Sequence, residues 1–323
     1  MGTEGALLSG AVTGDAGRER FWIRWSPDDQ SDAAKQTYDY MDWWRKRHPD
    51  LANRVPRILD YWPADNALVF EHVPGKPLSR AIADAKRARS DDATRAGDLQ
   101  LAERCASQLG AWLQRYSRGL EYYEADIMDV AVDEVTRTPD GKLRVNARAL
   151  MARRVDRAHI DALELAACGL AVGESWTARQ PDRVAATVGD DVPAGFVHGD
   201  LKCDNVLCDD DGFSVIDWWL APRASWPLAD VAVFAASLRL MDDQRIASQV
   251  WTRFANAYFD RDVSPATERQ IDLLAVMTGM SHLAGKMRST TSRLLERTTC
   301  NTLLKRLLAS TAIGQAERCN GGE

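Results

Sequence analysis

The sequence predicts a two-lobed α+β protein: a small strand-rich N-terminal lobe over residues 1–73 and a larger helical lobe over residues 74–323. Three observations carry that prediction. Short aromatic and β-branched runs, which suit strands, dominate the first seventy or so residues. Pro74-Gly75 then breaks the chain. Beyond it, apolar residues recur at three-to-four spacing, the period of amphipathic helices. A chain of 323 residues is long enough for about two globular units.

Taken in order, Arg20-Phe21-Trp22-Ile23-Arg24-Trp25 reads as a strand. Asp32 to Arg47 places Tyr38, Met41 and Trp44 at helical spacing, and Pro49 marks its end. Arg57–Trp62 and Ala67–Val73 are two further strands around the turn Pro63-Ala64-Asp65-Asn66. The polar stretch Lys86–Asp98 reads as a loop or a frayed helix end. Leu101, Cys105, Leu109, Trp112, Leu113, Tyr116 and Leu120 then keep one face of a long helix. Ala131–Val135 and Lys142–Val145 flank Pro139-Asp140-Gly141 as a small hairpin. A second β-like patch, Phe196 to Ile216, turns at Asp209-Asp210-Asp211-Gly212, and Leu228 to Leu308 is helical again.

Composition excludes several classes. Forty-one Lys+Arg against 47 Asp+Glu give a net charge of −6, which argues against nucleic-acid binding driven by backbone phosphates. No apolar run approaches the ~20 residues of a bilayer crossing, so no membrane association is expected. The Gly-rich start lacks the basic and apolar regions of a signal peptide. Six scattered cysteines contain no CxxC pair and share no ligand spacing with the five histidines. Neither a disulfide framework nor a zinc site is expected, and the thiols suit a cytoplasmic protein. Monomer and homodimer both remain open.

The most informative stretch is Phe196-Val-His-Gly-Asp-Leu-Lys-Cys-Asp-Asn-Val-Leu207, followed by Val215-Ile-Asp-Trp218. Asp200 and Asn205 are five apart, and Asp217 returns to them across the hairpin. Two carboxylates and an amide converging at a strand-loop-strand suit a magnesium–phosphate site, since Mg²⁺ takes oxygen ligands from one or two side chains plus phosphates. Phosphoryl transfer needs such a metal and a carboxylate to orient the attacking hydroxyl.

These residues resemble the catalytic and metal loops of the aminoglycoside phosphotransferase and choline kinase-like family, small-molecule kinases with a protein-kinase-like fold. The resemblance covers roughly Leu51–Val73 and Phe196–Leu238. It implies that Asp200 is the catalytic base and that Asn205 and Asp217 hold Mg²⁺. Asp230 and His198 would support the loop. It further implies ATP or GTP as co-substrate, with Glu71 to Val73 at the edge that binds the base. A hydroxyl of a small molecule, an antibiotic such as an aminoglycoside or a metabolite, would be the acceptor. Acids on the helices, Glu121, Glu124, Asp126, Asp129, Glu268, Asp272 and Glu296, are candidates for binding a polycationic acceptor, beside a reading as solvated helix faces.

The sequence departs from the family pattern at Arg24, which stands where the strand lysine is expected. Asp39, with Asp42 as second choice, is the nearest acid to serve as its helix partner. Only 23 residues precede Arg24, so the first strand is expected to be shortened or missing, with Gly10, Gly14 and Gly17 available for a short loop. Lys202 matches the protein Ser/Thr kinase form of the loop, in which that lysine reaches the transferred phosphate. A protein kinase is therefore one alternative, although only twelve residues separate Asp217 from Asp230 and leave no room for a full activation segment. A nucleotide-binding pseudokinase is the other.

Overall fold

The computed structural model describes residues 6–14, 17–25, 31–87, 92–118, 135–140, 142–170, 172, 188, 192–218, 223–260, 263–289 and 293–309. Among the described residues one strand precedes the strand that carries Arg24, one fewer than the family pattern places there. Ala6–Gly14 forms β1 and Gly17–Trp25 forms β2, nine residues each, paired antiparallel from Ala6 opposite Trp25 to Gly14 opposite Gly17. The sequence Ala-Leu-Leu-Ser-Gly-Ala-Val-Thr-Gly is rich in small residues and gives little strand signal. Its conformation comes from the ladder to β2, which is tertiary context overriding weak local preference.

Helix α1 (Ser31–Arg47) and the single turn α2 (Pro49–Ala52) follow. Strands β3 (Ile58–Trp62) and β4 (Ala67–Glu71) are joined by a 3₁₀ turn that Asn66 closes at φ 46°. The sheet order is β1-β2-β4-β3. Residues Ala67 to Phe70 of β4 are buried, as expected for a central strand, and α1 buries Tyr40, Met41 and Trp44.

At the break, Gly75 has φ +119°, and a Cβ there would stand 2.9 Å from the Cys208 carbonyl oxygen. Only glycine permits both that backbone angle and that approach. The approach lets β5 (Lys76–Pro77) pair with β10 (Val206–Asp209). The hairpin that carries the candidate metal loop is thereby tied to the connection between the sheet and the helices.

Helices α3 (Leu78–Arg87) and α4 (Asp92–Arg118) come next. Much of the polar stretch read as a loop or a frayed helix end is helix: α3 ends at Arg87, α4 begins at Asp92, and Lys76 forms an ion pair with Asp98 on its second turn. The predicted face, Cys105, Leu109, Trp112, Leu113 and Tyr116, is buried, while Leu120 lies outside the described residues.

Strands β6 (Val135–Arg137) and β7 (Leu143–Val145) form the expected hairpin, residues 131–134 lying outside the description. Helix α5 (Ala147–Ala167) is capped by Asn146, which accepts the Ala149 N–H at 2.9 Å. Then come β8 (Val192–Pro193), β9 (Gly195–Val197), β10, β11 (Gly212–Val215) and β12 (Arg223–Ser225), the last paired with β9. Four helices follow among the described residues: α6 (Leu228–Arg239), α7 (Gln244–Phe259), α8 (Pro265–Ser289) and α9 (Arg293–Ala309). Helix α4 packs on α3 and α7, and α8 packs on α5 and α6. One continuous apolar core runs from Tyr40 on α1 to Leu307 on α9, and a small second cluster of Ala34, Leu68 and Phe70 lies under the four-stranded sheet. No described helix is long and apolar enough to cross a membrane.

Candidate active site

The loop after β9 is shaped by backbone bonds to one carboxylate. Asp230, buried on the first turn of α6, accepts the His198 N–H at 2.5 Å and the Gly199 N–H at 2.8 Å. Gly199 sits at φ +88°, an angle that suits glycine and turns the chain outward. Asp200 is thereby presented at the surface, where its side chain is half exposed.

Asp200 is then held from three sides. Its backbone N–H donates to His198 Nδ1 at 3.3 Å, which places the ring proton on Nε2, where it donates to the Ile216 carbonyl at 3.0 Å. Burial holds the His198 pKa at about 4, so the ring is neutral and links the catalytic loop to the strand leading to Asp217. Trp218 packs edge-on against this ring at 4.5 Å. Lys202 Nζ donates to Asp200 Oδ2 at 2.7 Å, and Asn205 Nδ2 donates to the same oxygen at 3.1 Å and to the Asp200 carbonyl at 2.8 Å. Ser237 on α6 accepts the Cys203 N–H at 3.1 Å and so anchors the far side of the loop.

Asp217 follows β11 at φ +71°, a left-handed backbone unusual for a residue with a side chain. Its carboxylate forms an ion pair with Arg24 on β2. Burial lowers the Arg24 pKa, and the Asp200 carboxylate pulls it back up. Arg24 therefore lies between the two acids, and Asp200, Asn205 and Asp217 share one neighbourhood.

The remaining expected residues sit as follows. Asp39 and Asp42 lie on the exposed face of α1, each in an ion pair with a lysine on the same helix, Lys35 and Lys46. The structure thus shows a partner for Arg24 that spacing along α1 did not suggest. Glu71 ends β4 and holds Arg57, accepting its N–H at 2.8 Å and its Nε–H at 2.6 Å. Val73 is half buried beside it, and His72 stacks on Trp22 with ring centres 6.0 Å apart. Asp272 forms an ion pair with Arg239. Glu121, Glu124, Asp126 and Asp129 lie outside the described residues, as does the side chain of Glu296. Sequence reasoning missed Ser237 and the Trp218–His198 contact; neither residue type signals its role without knowing what packs there.

The donor set suits a hard cation. Asn205 spends its Nδ2 on Asp200, which leaves Oδ1 for a metal, and the Asp217 side chain keeps 33% of its exposure. Both are the oxygen ligands that Mg²⁺ takes.

The model of the phosphotransferase enzyme family (APH) matches residues 11–272. Solved structures share the fold. The amicoumacin kinase hAmiN, solved with AMP-PNP, Ca²⁺ and Ami, superposes with a TM-score of 0.55 at 11% identity, covering 97% of this chain and 92% of that one. A putative fructosamine-3-kinase from Thermobifida fusca gives 0.51 at 20% identity, covering 96% and 92%. A choline/ethanolamine kinase family protein from Mesorhizobium loti gives 0.51 at 12%, covering 95% and 90%. A comparison with curated protein sequences finds no match. With 262 consecutive residues under one family model, residues that include every element of the candidate site, the chain belongs to the phosphotransferase enzyme family.

Proposed function

We propose that the protein transfers the γ-phosphate of a nucleoside triphosphate, ATP or GTP, to a hydroxyl of a small molecule. The observation that carries this reading is that Arg24 pairs with Asp217 and lies near Asp200, which Asn205 holds by hydrogen bonds. Asn205 and Asp217 would hold Mg²⁺, which when bound neutralises the phosphates.

The chain's own groups supply the rest. Lys202 and Asn205 both donate to Asp200 Oδ2, so Oδ1 is the oxygen left to accept the proton of the acceptor hydroxyl. Lys202 would also meet the transferred phosphate, as the resemblance implies. Arg24 supplies a guanidinium fork for phosphate oxygens, in place of a lysine. The backbone of Glu71 to Val73, beside the Trp22–His72 stack, would take the base. Neutral His198 and the Asp230 carboxylate hold the loop without touching substrate.

The Arg24–Asp217 pair favours a second reading, nucleotide binding without transfer, because a resident cation there competes with a metal. Labelled γ-phosphate offered with a panel of hydroxyl compounds separates the two. The kinase reading expects transfer that falls ~10²–10⁴-fold in Asp200→Ala and is lost in Asp217→Ala. Turnover in Asp200→Ala close to that of the parent protein would remove the assigned base.

A further inference from the structure

The cysteines are scattered along the chain, but the fold sets two of them face to face. Strand β10 carries Cys208 directly opposite Phe213 of β11. Cross-strand partners share one face of a hairpin, and the Phe213 ring packs edge-on against Trp112 of α4, with ring centres 6.1 Å apart. Cys208 is therefore on the face turned toward α4. Cys105 lies two turns before Trp112 on the same side of that helix. Its thiol donates to the carbonyl of Gly212, the neighbour of Phe213, at 3.0 Å. Both thiols are buried in the common core, and both lie outside the loop that carries Asp200.

The surroundings give the two thiols different characters. Cys208 donates its S–H toward Cys105, and this bond lowers the Cys105 pKa and raises that of Cys208. Burial and Asp209 oppose the fall at Cys105, while Arg104 and Arg54 support it. Those two guanidiniums are fixed on the same hairpin. Arg104 donates to the Asp209 carbonyl at 3.1 Å, and Arg54 donates to the Asp211 and Phe213 carbonyls at 3.3 Å each. A thiol that accepts a hydrogen bond beside cations is the readier to ionise, and the thiolate is the nucleophile. The pair sits just beneath the turn from Asp209 to Gly212, whose Asp210 and Asp211 are exposed. Local opening of that tip is enough to admit a molecule little larger than water.

We infer that Cys105 and Cys208 are an oxidation site, at which a hydroperoxide converts the two facing thiols into a reversible disulfide, independently of phosphoryl transfer. The Cys105 thiolate attacks one peroxide oxygen: an S–O bond forms, the O–O bond breaks, and the departing hydroxide takes up the proton that the thiol released. This leaves a sulfenic acid on Cys105 and one water. The Cys208 sulfur then attacks the Cys105 sulfur: the S–S bond forms, the S–O bond breaks, and hydroxide leaves with the Cys208 proton as a second water. The two sulfurs give up two electrons, which reduce the peroxide to water, and a dithiol reductant reverses the change by exchange. The cross-link fastens α4 to β10, the strand that follows Asn205. The hinge is engaged at the same residue, since Lys76 pairs with Cys208 and Gly75 approaches its carbonyl.

The test treats the folded full chain with hydrogen peroxide, alkylates the remaining thiols after unfolding, and weighs the tryptic peptides. The expected product joins the peptide that begins at Cys105 to the one that carries Cys208, two hydrogens lighter than the separate pair, and dithiothreitol parts them. Cys203 shares the second peptide, so fragment masses place the link. The joined species should be absent from Cys105→Ala and from Cys208→Ala; if neither variant folds, the fragment masses from the parent chain decide alone. A link from Cys105 to Cys203 would overturn the pair. So would Cys105 oxidised by itself to a sulfinic acid while Cys208 stays open to alkylation, or the absence of any joined peptide from the treated parent chain.

Discussion

Arg24 reaches Asp217 because β2 lies next to β4 in the sheet, while Asp217 leaves β11 in a left-handed conformation that turns its carboxylate toward that sheet. One guanidinium therefore faces Asp217 and feels the Asp200 carboxylate as well. If it clamps phosphates, its fork matters as well as its charge, because two parallel N–H donors fix an oxyanion in a way that an ammonium cannot. Arg24→Lys should weaken binding of a non-hydrolysable triphosphate several-fold, and Arg24→Met by roughly tenfold, about 1.4 kcal/mol. Calorimetric titration reads both. Equal affinities in all three proteins would reduce Arg24 to a counter-ion for Asp217. The loop residues were legible in the sequence because Asp200, Asn205 and Asp217 are brought together by a local hairpin, whose spacing shows in the chain. The partner of Arg24 was not, since it depends on how a distant sheet is set over that hairpin.

Helix α4 shows how an element carries the site. Its buried face supports β9, which leads into the Asp200 loop, and β11, which leads to Asp217, and Trp112 and Tyr116 stack in parallel at 5.0 Å beneath Trp218. On its other side α4 meets α7 so closely that a Cβ on Gly110 would lie 2.4 Å from the Phe254 carbonyl oxygen. Backbone cannot yield as a side-chain tip can. Gly110→Ala should therefore destabilise the protein by about 1–3 kcal/mol. Gly97, on the same helix, has nothing within 4 Å of its missing Cβ, and Gly97→Ala should stabilise by about 0.5–1 kcal/mol through helix propensity and a less flexible unfolded chain. Urea unfolding of both variants checks the pair; matching shifts of one sign would contradict the packing argument. Periodicity revealed the buried face of α4 because one apolar stripe suffices for that. It did not reveal the helix start at Asp92, where charged side chains and Gly97 look like loop and the ion pair between Lys76 and Asp98 supplies what local preference lacks. Strand β1 escaped for the same reason, being held by pairing more than by its own side chains.

At the scale of the whole molecule, two buried groups under the catalytic loop couple folding to pH in opposite senses. His198, faced by Asp200, Lys202 and Arg24 and bonded to the Ile216 carbonyl, is held at a pKa of about 4 by burial. The unfolded chain, with an ordinary imidazole near 6.5, binds more protons in between. The stability this group contributes is complete above pH 6.5 and is lost as pH falls toward 4, about 3 kcal/mol in all. Asp230, faced by Arg154 and Asp200, is raised to about 6 by burial, against the two N–H bonds that favour its charge. Here the folded chain binds more protons between about 4 and 6, so ionising this carboxylate opposes folding above pH 6. Acidification relieves that opposition by about 3 kcal/mol. The two contributions nearly cancel over the same window, and single variants should separate them. The stability advantage of the parent chain over His198→Asn should shrink as pH falls from 7 to 4. Its advantage over Asp230→Asn should grow, because the parent sheds the burden of a buried carboxylate that the amide never carries. Urea midpoints of the three proteins at a series of pH values give both differences. Two gaps moving in the same direction would show that the histidine and the carboxylate do not lie buried in these opposite protonation states.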